Sequence, residues 1–295
     1  MSGFHTPVLL KETVEYLKIK KGGDYIDATL GGGGHAEAIL KSGGKLLAID
    51  CDPEAIKSAG EYLSSACPNT SWRLARGNFK DLKRIAERNG FGKIDGVLFD
   101  LGVSSHQLET LKRGFSFNLK GPLDMRMDPD LRVTAADLVN ALNKGELEKL
   151  FEKFGQEYRA GRLAEAIVNV RRLRPIKTCN ELTEIVVRAQ GKRSRFDRTH
   201  PATRIFQALR MAVNDELNNL RQALPQAVEI LKPEGRLAVI SFHSGEDRIA
   251  KQFLKEKEAV GQMRVITKKP TTPTVDEIKQ NPRSRSAKLR VGEKL

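Results

Sequence analysis

Cysteine is scarce in this 295-residue chain: Cys51, Cys67 and Cys179 are scattered, and no two form a C-x-x-C pair. That spacing argues against a zinc ribbon or a disulfide framework and fits a reducing cytoplasm, so no metal is expected. Long apolar runs are missing as well. Nothing approaches the roughly 18 apolar residues of a membrane span. Val8-Leu9-Leu10 is too short for the apolar stretch of a signal peptide, and Glu12 interrupts it. No stable membrane insertion is therefore expected. Acidic residues are in deficit, 37 against 51 basic ones, which leaves a net charge of +14. That excess favours a polyanionic partner, nucleic acid before an anionic membrane surface.

What is present begins with Tyr25-Ile-Asp-Ala-Thr-Leu-Gly-Gly-Gly-Gly-His35. A short β-favouring run enters four glycines, and a helix-compatible segment, Ala36–Lys41, follows. Glycines at such a turn let backbone approach a ligand, and the next helix presents free N–H groups. A second strand, Lys45–Asp50, ends in an acid about 20 residues beyond Gly31, the spacing at which a nucleotide-like cofactor is held by its ribose hydroxyls. Asp52 competes for that role, but Asp50 is the first acid past the strand. No Gly-Lys-Ser/Thr follows the glycines, so a P-loop is excluded. Gly31, Gly33 and Ala36 satisfy G-x-G-x-x-G/A, so a dinucleotide remains open. Asp27, just ahead of the turn, tilts the choice toward S-adenosylmethionine. An acid there suits a cationic amino-acid end and would repel a pyrophosphate.

The first hundred residues alternate strand (25–30, 45–50, 71–76, 95–101) with helix (53–65 and about 79–90), which predicts an α/β fold with a parallel sheet. Gly31–His35, Asp50, Phe79 and Asp100 fall at or just past strand ends and should converge on one crevice. The next convincing strand, 236–243, comes only after residues 103–235, far more than one crossover needs. Helical spacing over Leu131–Asn143, Lys144–Phe154, Arg159–Val170 and Cys179–Ala189 indicates an inserted helical subdomain. One long helix is expected from Ala202, with Phe206, Leu209, Val213, Leu217, Leu220 and Leu224 as its buried stripe. Basic residues cluster at Arg171-Arg172-Leu173-Arg174, at Lys192, Arg193, Arg195 and Arg198 around Phe196, and in a tail with Arg283, Arg285, Lys288 and Arg290. Charge runs are usually solvated faces; an aromatic among arginines can stack on bases.

Several ordered motifs then carry a specific resemblance: His5-Thr-Pro-Val-Leu-Leu10, Gly31–His35, Asp100-Leu-Gly-Val-Ser-Ser105, Arg113-Gly-Phe-Ser-Phe117, Gly121-Pro-Leu-Asp-Met-Arg-Met-Asp128, Thr203-Arg-Ile-Phe-Gln-Ala-Leu-Arg210 and Ile240-Ser-Phe-His-Ser244. Together they closely resemble the MraW/RsmH family of bacterial small-subunit ribosomal RNA methyltransferases, over nearly the whole chain. The resemblance implies a class I S-adenosylmethionine-dependent methyltransferase (Rossmann-like) sheet interrupted by a helical insertion. It divides the chain into a discontinuous methyltransferase domain, 1–108 and 202–295, and an inserted helical substrate-recognition subdomain, 109–201. It further implies methylation of the exocyclic N4 of a cytidine in the decoding region of 16S rRNA in the small ribosomal subunit. A homodimer is a further expectation. The family's cofactor contacts carry over to Gly33, Gly34 and His35 at the amino-acid end, Asp50 at the ribose, Phe79 beside the adenine, and Asp100 and Gln107.

Asp100 is the best-placed candidate for a catalytic acid, in competition with a role at the cofactor's amino group. His35 is read as a histidine packing the loop, with a role as base the alternative. His243 is divided between orienting the substrate and structural hydrogen bonding. Arg126 is read as pairing with Asp124 or Asp128. The family pattern Ser-Phe-His-Ser-Leu-Glu-Asp-Arg departs here at Gly245, which could loosen the turn. Two other functions stay open: an amino methyltransferase for another substrate, such as DNA or a free metabolite, and a non-catalytic RNA-binding assembly factor. The charge and the large insertion argue against a metabolite, and the intact glycine loop argues against the assembly factor.

Overall fold

In a computed structural model, residues 7–191 and 200–295 are described. His5, and the cluster of Lys192, Arg193, Arg195, Phe196 and Arg198, lie outside the described residues. The chain divides into two compact units, Met1–Val103 with Leu217–Leu295, and Ser104–Glu216.

The first unit is a seven-stranded sheet in the order β3-β2-β1-β4-β5-β7-β6. Its strands are β1 Asp24–Asp27, β2 Lys45–Asp50, β3 Trp72–Arg76, β4 Ile94–Asp100, β5 Leu231–Ser241, β6 Met263–Val265 and β7 Lys288–Lys294. The first five are parallel, and β7 and β6 close the sheet antiparallel. Parallel strands need cover on both faces, and alternate residues supply it. Ile26, Leu47, Val97, Phe99 and Val239 enter one core. Tyr25, Leu46, Ala48, Leu98 and Ala238 enter the other. The chain moves outward from β1 to β3, then returns to start β4 on the other side of β1. The carboxyl ends of β1 and β4 therefore form the switch point at which open α/β sheets bind ligands.

Two strands were not foreseen. β7 carries Arg290 and Glu293, both about 5% exposed and each held by an ionic partner, the half-buried Asp247 and the buried Arg236. Arg290 donates to Asp247 at 2.6 Å, and Lys288 reaches the same carboxylate at 3.4 Å. These two bases therefore do not belong to a free basic tail. β5 also starts earlier than expected, at Leu231, with a register shift between its pairings to Ile94 and Gly96. Glu234 takes a left-handed conformation there, φ 63°.

The second unit is helical: Ser105–Glu109, Ala135–Ala141, Lys144–Gly155, Ala160–Arg171, Cys179–Gln190 and Ala202–Val213. Ser/Thr/Asn-x-x-Glu/Gln/Asp boxes at Ser104, Thr134, Asn143 and Thr178 start four of them. The single long helix expected from Ala202 is two helices, Ala202–Val213 and Glu216–Ile230. Asn214 and Asp215 break it. Asp215 is left-handed, φ 50°. The Asn214 amide donates to the Met125 and Arg210 carbonyls, and its oxygen accepts from the Met127 N–H. The stripe splits with the helix: Phe206, Leu209, Leu220 and Leu224 are buried, whereas Val213 and Leu217 are only half-buried.

Candidate active site

The glycine turn is built by conformation. Gly31 and Gly33 have φ of 49° and 83°, and Gly33 stands as the cap of the helix Gly34–Lys41. Left-handed backbone of this kind favours glycine. Gly34 has a different reason: a Cβ there would lie 2.5 Å from the Pro7 ring. The turn is tied to β2 through Asp50. One Asp50 oxygen accepts from the Gly31 N–H and the other from the Asp52 N–H, each at 2.9 Å. Desolvation of the half-buried Asp50 carboxyl pushes its pKa up to about 6, against the pull of those N–H groups.

Asp52 is settled differently. It is buried, caps the helix Pro53–Ala66, and accepts from the Glu54 N–H at 3.0 Å. Asp52→Ala should therefore lower stability by about 1 kcal/mol, the usual cost of a lost helix cap, measured by urea unfolding. A loss near zero would remove that role.

Asp27 ends β1 and is 1% exposed. Its Oδ1 accepts from the Thr29 N–H at 3.1 Å, and its buried Oδ2 has no hydrogen-bond partner. Burial, relieved in part by the nearby His35, pushes its pKa up to about 6. Asp100 ends β4. Its N–H donates to the Thr29 hydroxyl at 2.6 Å, its Oδ2 lies 3.3 Å from His35 Nδ1, and its Oδ1 is buried without a partner. Buried polar atoms are ordinarily satisfied, so two orphaned carboxylate oxygens at one switch point mark where a donor-rich ligand would be received.

Phe79 is half-buried in a short 3₁₀ turn, edge-on to Phe99 at 5.7 Å. The Gly77 N–H donates to the Asp50 carbonyl, which brings this turn to the end of β2. Gly31–His35, Asp50, Phe79 and Asp100 are thus linked within the first unit. Gln107 lies in the second unit. It is buried, and its Oε1 accepts from the Ser104 N–H in the capping box. The Ser-x-x-Gln spacing could have revealed that box.

His243 caps the helix Ser244–Ala259. Its Nδ1 faces the Gly245 and Glu246 N–H groups at 3.2 and 3.3 Å, and Glu246 accepts from the Phe242 N–H. The turn at Gly245 is therefore held by hydrogen bonds that a leucine side chain would not supply. Arg126 grips Asp124 with two bonds of 2.8 Å and donates to the Pro129 and Leu131 carbonyls, which gives it a structural role within the second unit.

A sequence profile of the MraW methylase family matches residues 2–295. The chain belongs to the MraW methylase family. It is 47% identical to the ribosomal RNA small subunit methyltransferase H of Thermomicrobium roseum, over 100% of this chain and 95% of that one. It is 45% identical to the protein of the same name from Carboxydothermus hydrogenoformans, over 99% and 98%. An rRNA methylase from Streptococcus thermophilus aligns over 99% of each chain with a TM-score of 0.48 and 11% identity. Among the described residues, no helix is long and apolar enough to cross a membrane.

Proposed function

We propose that this chain is an S-adenosylmethionine-dependent methyltransferase of small-subunit ribosomal RNA. Within that class, the resemblance supports the N4 of a cytidine in the decoding region of 16S rRNA as its target. Family membership across the whole chain carries the methyltransferase reading. The site is consistent with the cofactor. The glycine turn has left-handed backbone at Gly31 and Gly33 and no room for a side chain at Gly34, and the two orphaned carboxylate oxygens suit a cationic amino-acid end better than a phosphate.

Bound, the cofactor supplies a methyl group already activated by its sulfonium, so the protein's work is alignment. Asp50, held by the Gly31 and Asp52 N–H groups, would accept from the ribose hydroxyls. Gly33 and Gly34 would support the amino-acid end, with Asp27 beneath it. Phe79 would flank the adenine. Asp100 would accept an N–H from an amine through its free oxygen, and a hydrogen bond of this kind can turn an exocyclic amine's lone pair toward the methyl. Gln107 is carried over from the family pattern.

Transfer of tritiated methyl to 30S subunits from a strain lacking the enzyme, followed by nucleoside mass spectrometry, tests this. Label is expected in N4-methylated cytidine; label confined to another nucleoside, or none, overturns the target. Binding to the RNA should weaken with salt, because phosphate contacts release counterions. Arg172 is exposed, and Arg174 is exposed apart from a loose pair with Glu181 at 3.7 Å. Replacing both with Ala should make the slope of log affinity against log salt shallower by about 2. An unchanged slope would make these bases a solvated face.

A further inference from the structure

His35 was expected to pack the glycine loop against the cofactor, with a role as base the alternative. It is 5% exposed, and its two ring nitrogens do different things. Nε2 lies 3.1 Å from the Val8 carbonyl. A carbonyl can only accept, so Nε2 carries a proton. Nδ1 lies 3.3 Å from Asp100 Oδ2. With Nε2 already protonated, a hydrogen bond on that second axis needs one more proton, on either the ring or the carboxyl. Without it, a nitrogen lone pair would face a carboxylate oxygen across a buried gap.

We propose that His35 is the positioning residue for Asp100: it holds Oδ2 through one shared proton and leaves Oδ1 to accept an N–H from an amine in the site. The proposal rests on the methyltransferase reading only for the identity of that amine. Three further observations support it. The Asp100 main chain is fixed independently, by its N–H to the Thr29 hydroxyl. Hence the side chain's remaining freedom is rotation about its own bonds, which an Oδ2 anchor removes. The Asp100 Oδ1 is buried and without a partner, so the anchored carboxylate keeps one acceptor uncommitted. Although burial alone would lower the His35 pKa, the Asp100 hydrogen bond and charge, together with the charge of Asp27, leave it raised. The groups facing the ring are thus Asp100 from β4, Asp27 from β1 and the Val8 carbonyl.

The first test uses the unliganded protein, labelled with ¹⁵N-histidine. At neutral pH His35 should show Nε2–H and a second, downfield proton on the Nδ1–Oδ2 axis, and Asp100→Asn should remove the second signal. A bare Nδ1 between pH 6 and 8, unmoved by Asp100→Asn, overturns the proposal. The second test compares His35→Gln, whose amide can reach Val8 but offers Asp100 no donor, with His35→Asn, which returns a donor toward Asp100. Fluorescence of the lone Trp72 confirms that each is folded. His35→Gln should lower methyl transfer to 30S subunits about tenfold or more, as a displaced reacting group does, and His35→Asn should recover most of it. Calorimetry with S-adenosylhomocysteine locates the amine. A loss of that affinity assigns Oδ1 to the cofactor's ammonium; unchanged affinity with reduced kcat assigns it to the target amine. Both folded variants at wild-type rate and affinity would overturn the proposal. Should the wild-type enzyme label no RNA, the NMR result still decides the His35–Asp100 pair, and the failure belongs to the assigned function.

Discussion

Asp27→Asn should make the unliganded protein more stable at pH 8 and a weaker binder of its cofactor. Asp27 is 1% exposed, its Oδ2 is unpartnered, and burial drives its pKa from 3.8 to about 6. A carboxyl with a raised pKa binds its proton more tightly when folded than when unfolded. Stability from that proton is complete below pH 4 and is lost as pH rises through about 6. The gap corresponds to about 3 kcal/mol above both values. Asparagine keeps the acceptor for the Thr29 N–H and carries no charge to desolvate. The variant's advantage should thus approach 3 kcal/mol at pH 8 and vanish below pH 4. Urea unfolding followed by Trp72, which lies on β3 of the same sheet, reads it directly. Calorimetry with S-adenosylhomocysteine should show the opposite trend, an affinity at least tenfold weaker, because the carboxylate would be compensated by the ligand's cationic end. A variant no more stable than wild type at pH 8 would mean that Asp27 is not a strained charge, and the cofactor assignment would lose its main electrostatic support.

The sequence revealed those parts of the molecule that rest on local patterning. Apolar runs bounded by turns located β1, β2 and β4, because buried parallel strands are apolar on both faces; β3, the half-exposed edge strand with Arg73 and Arg76 exposed, has no such run. The four glycines and Asp50 were legible from spacing, and the structure joins them through the Gly31–Asp50 hydrogen bond. Features that depend on distant partners were hidden. β7 reads as a charged tail until Asp247 and Arg236 are seen to neutralise Arg290 and Glu293. The break at Asn214 depends on carbonyls at Met125 and Arg210, which no helical periodicity reports. His35 and Asp100 are 65 positions apart, so their pairing follows only from β1 and β4 being neighbours at the switch point. For His243 structural hydrogen bonding was one of the two roles read, and it takes the form of a helix cap, which periodicity does not suggest because imidazole is not among the usual capping side chains.

The same buried tail sets the second large expectation: Glu293→Ala should destabilise the sheet by about 3–5 kcal/mol, the usual cost of leaving a buried charge without its partner. Arg236 on β5 is 4% exposed and lies 2.5 Å from Glu293 on β7, its cross-strand neighbour. Arg264 on β6 reaches the other oxygen from a more exposed position. Burial alone would raise the Glu293 pKa, but the Arg264 and Arg236 guanidinium groups outweigh it and lower the value. The stability this contributes is therefore present above the ordinary carboxyl range near pH 4.5 and is lost as pH falls below it. Removing the carboxylate strands Arg236 where water cannot solvate it, and Arg236 Nε already has no partner. Replacing the pair together, Arg236→Met with Glu293→Leu, should cost little or even stabilise, because neither charge then needs desolvation. The contrast between single and double variants is the measurement, again by the Trp72 urea transition. A single variant within 1 kcal/mol of wild type would show that Arg236 finds water or another acceptor, and β7 would then be held by its backbone ladder and apolar residues alone.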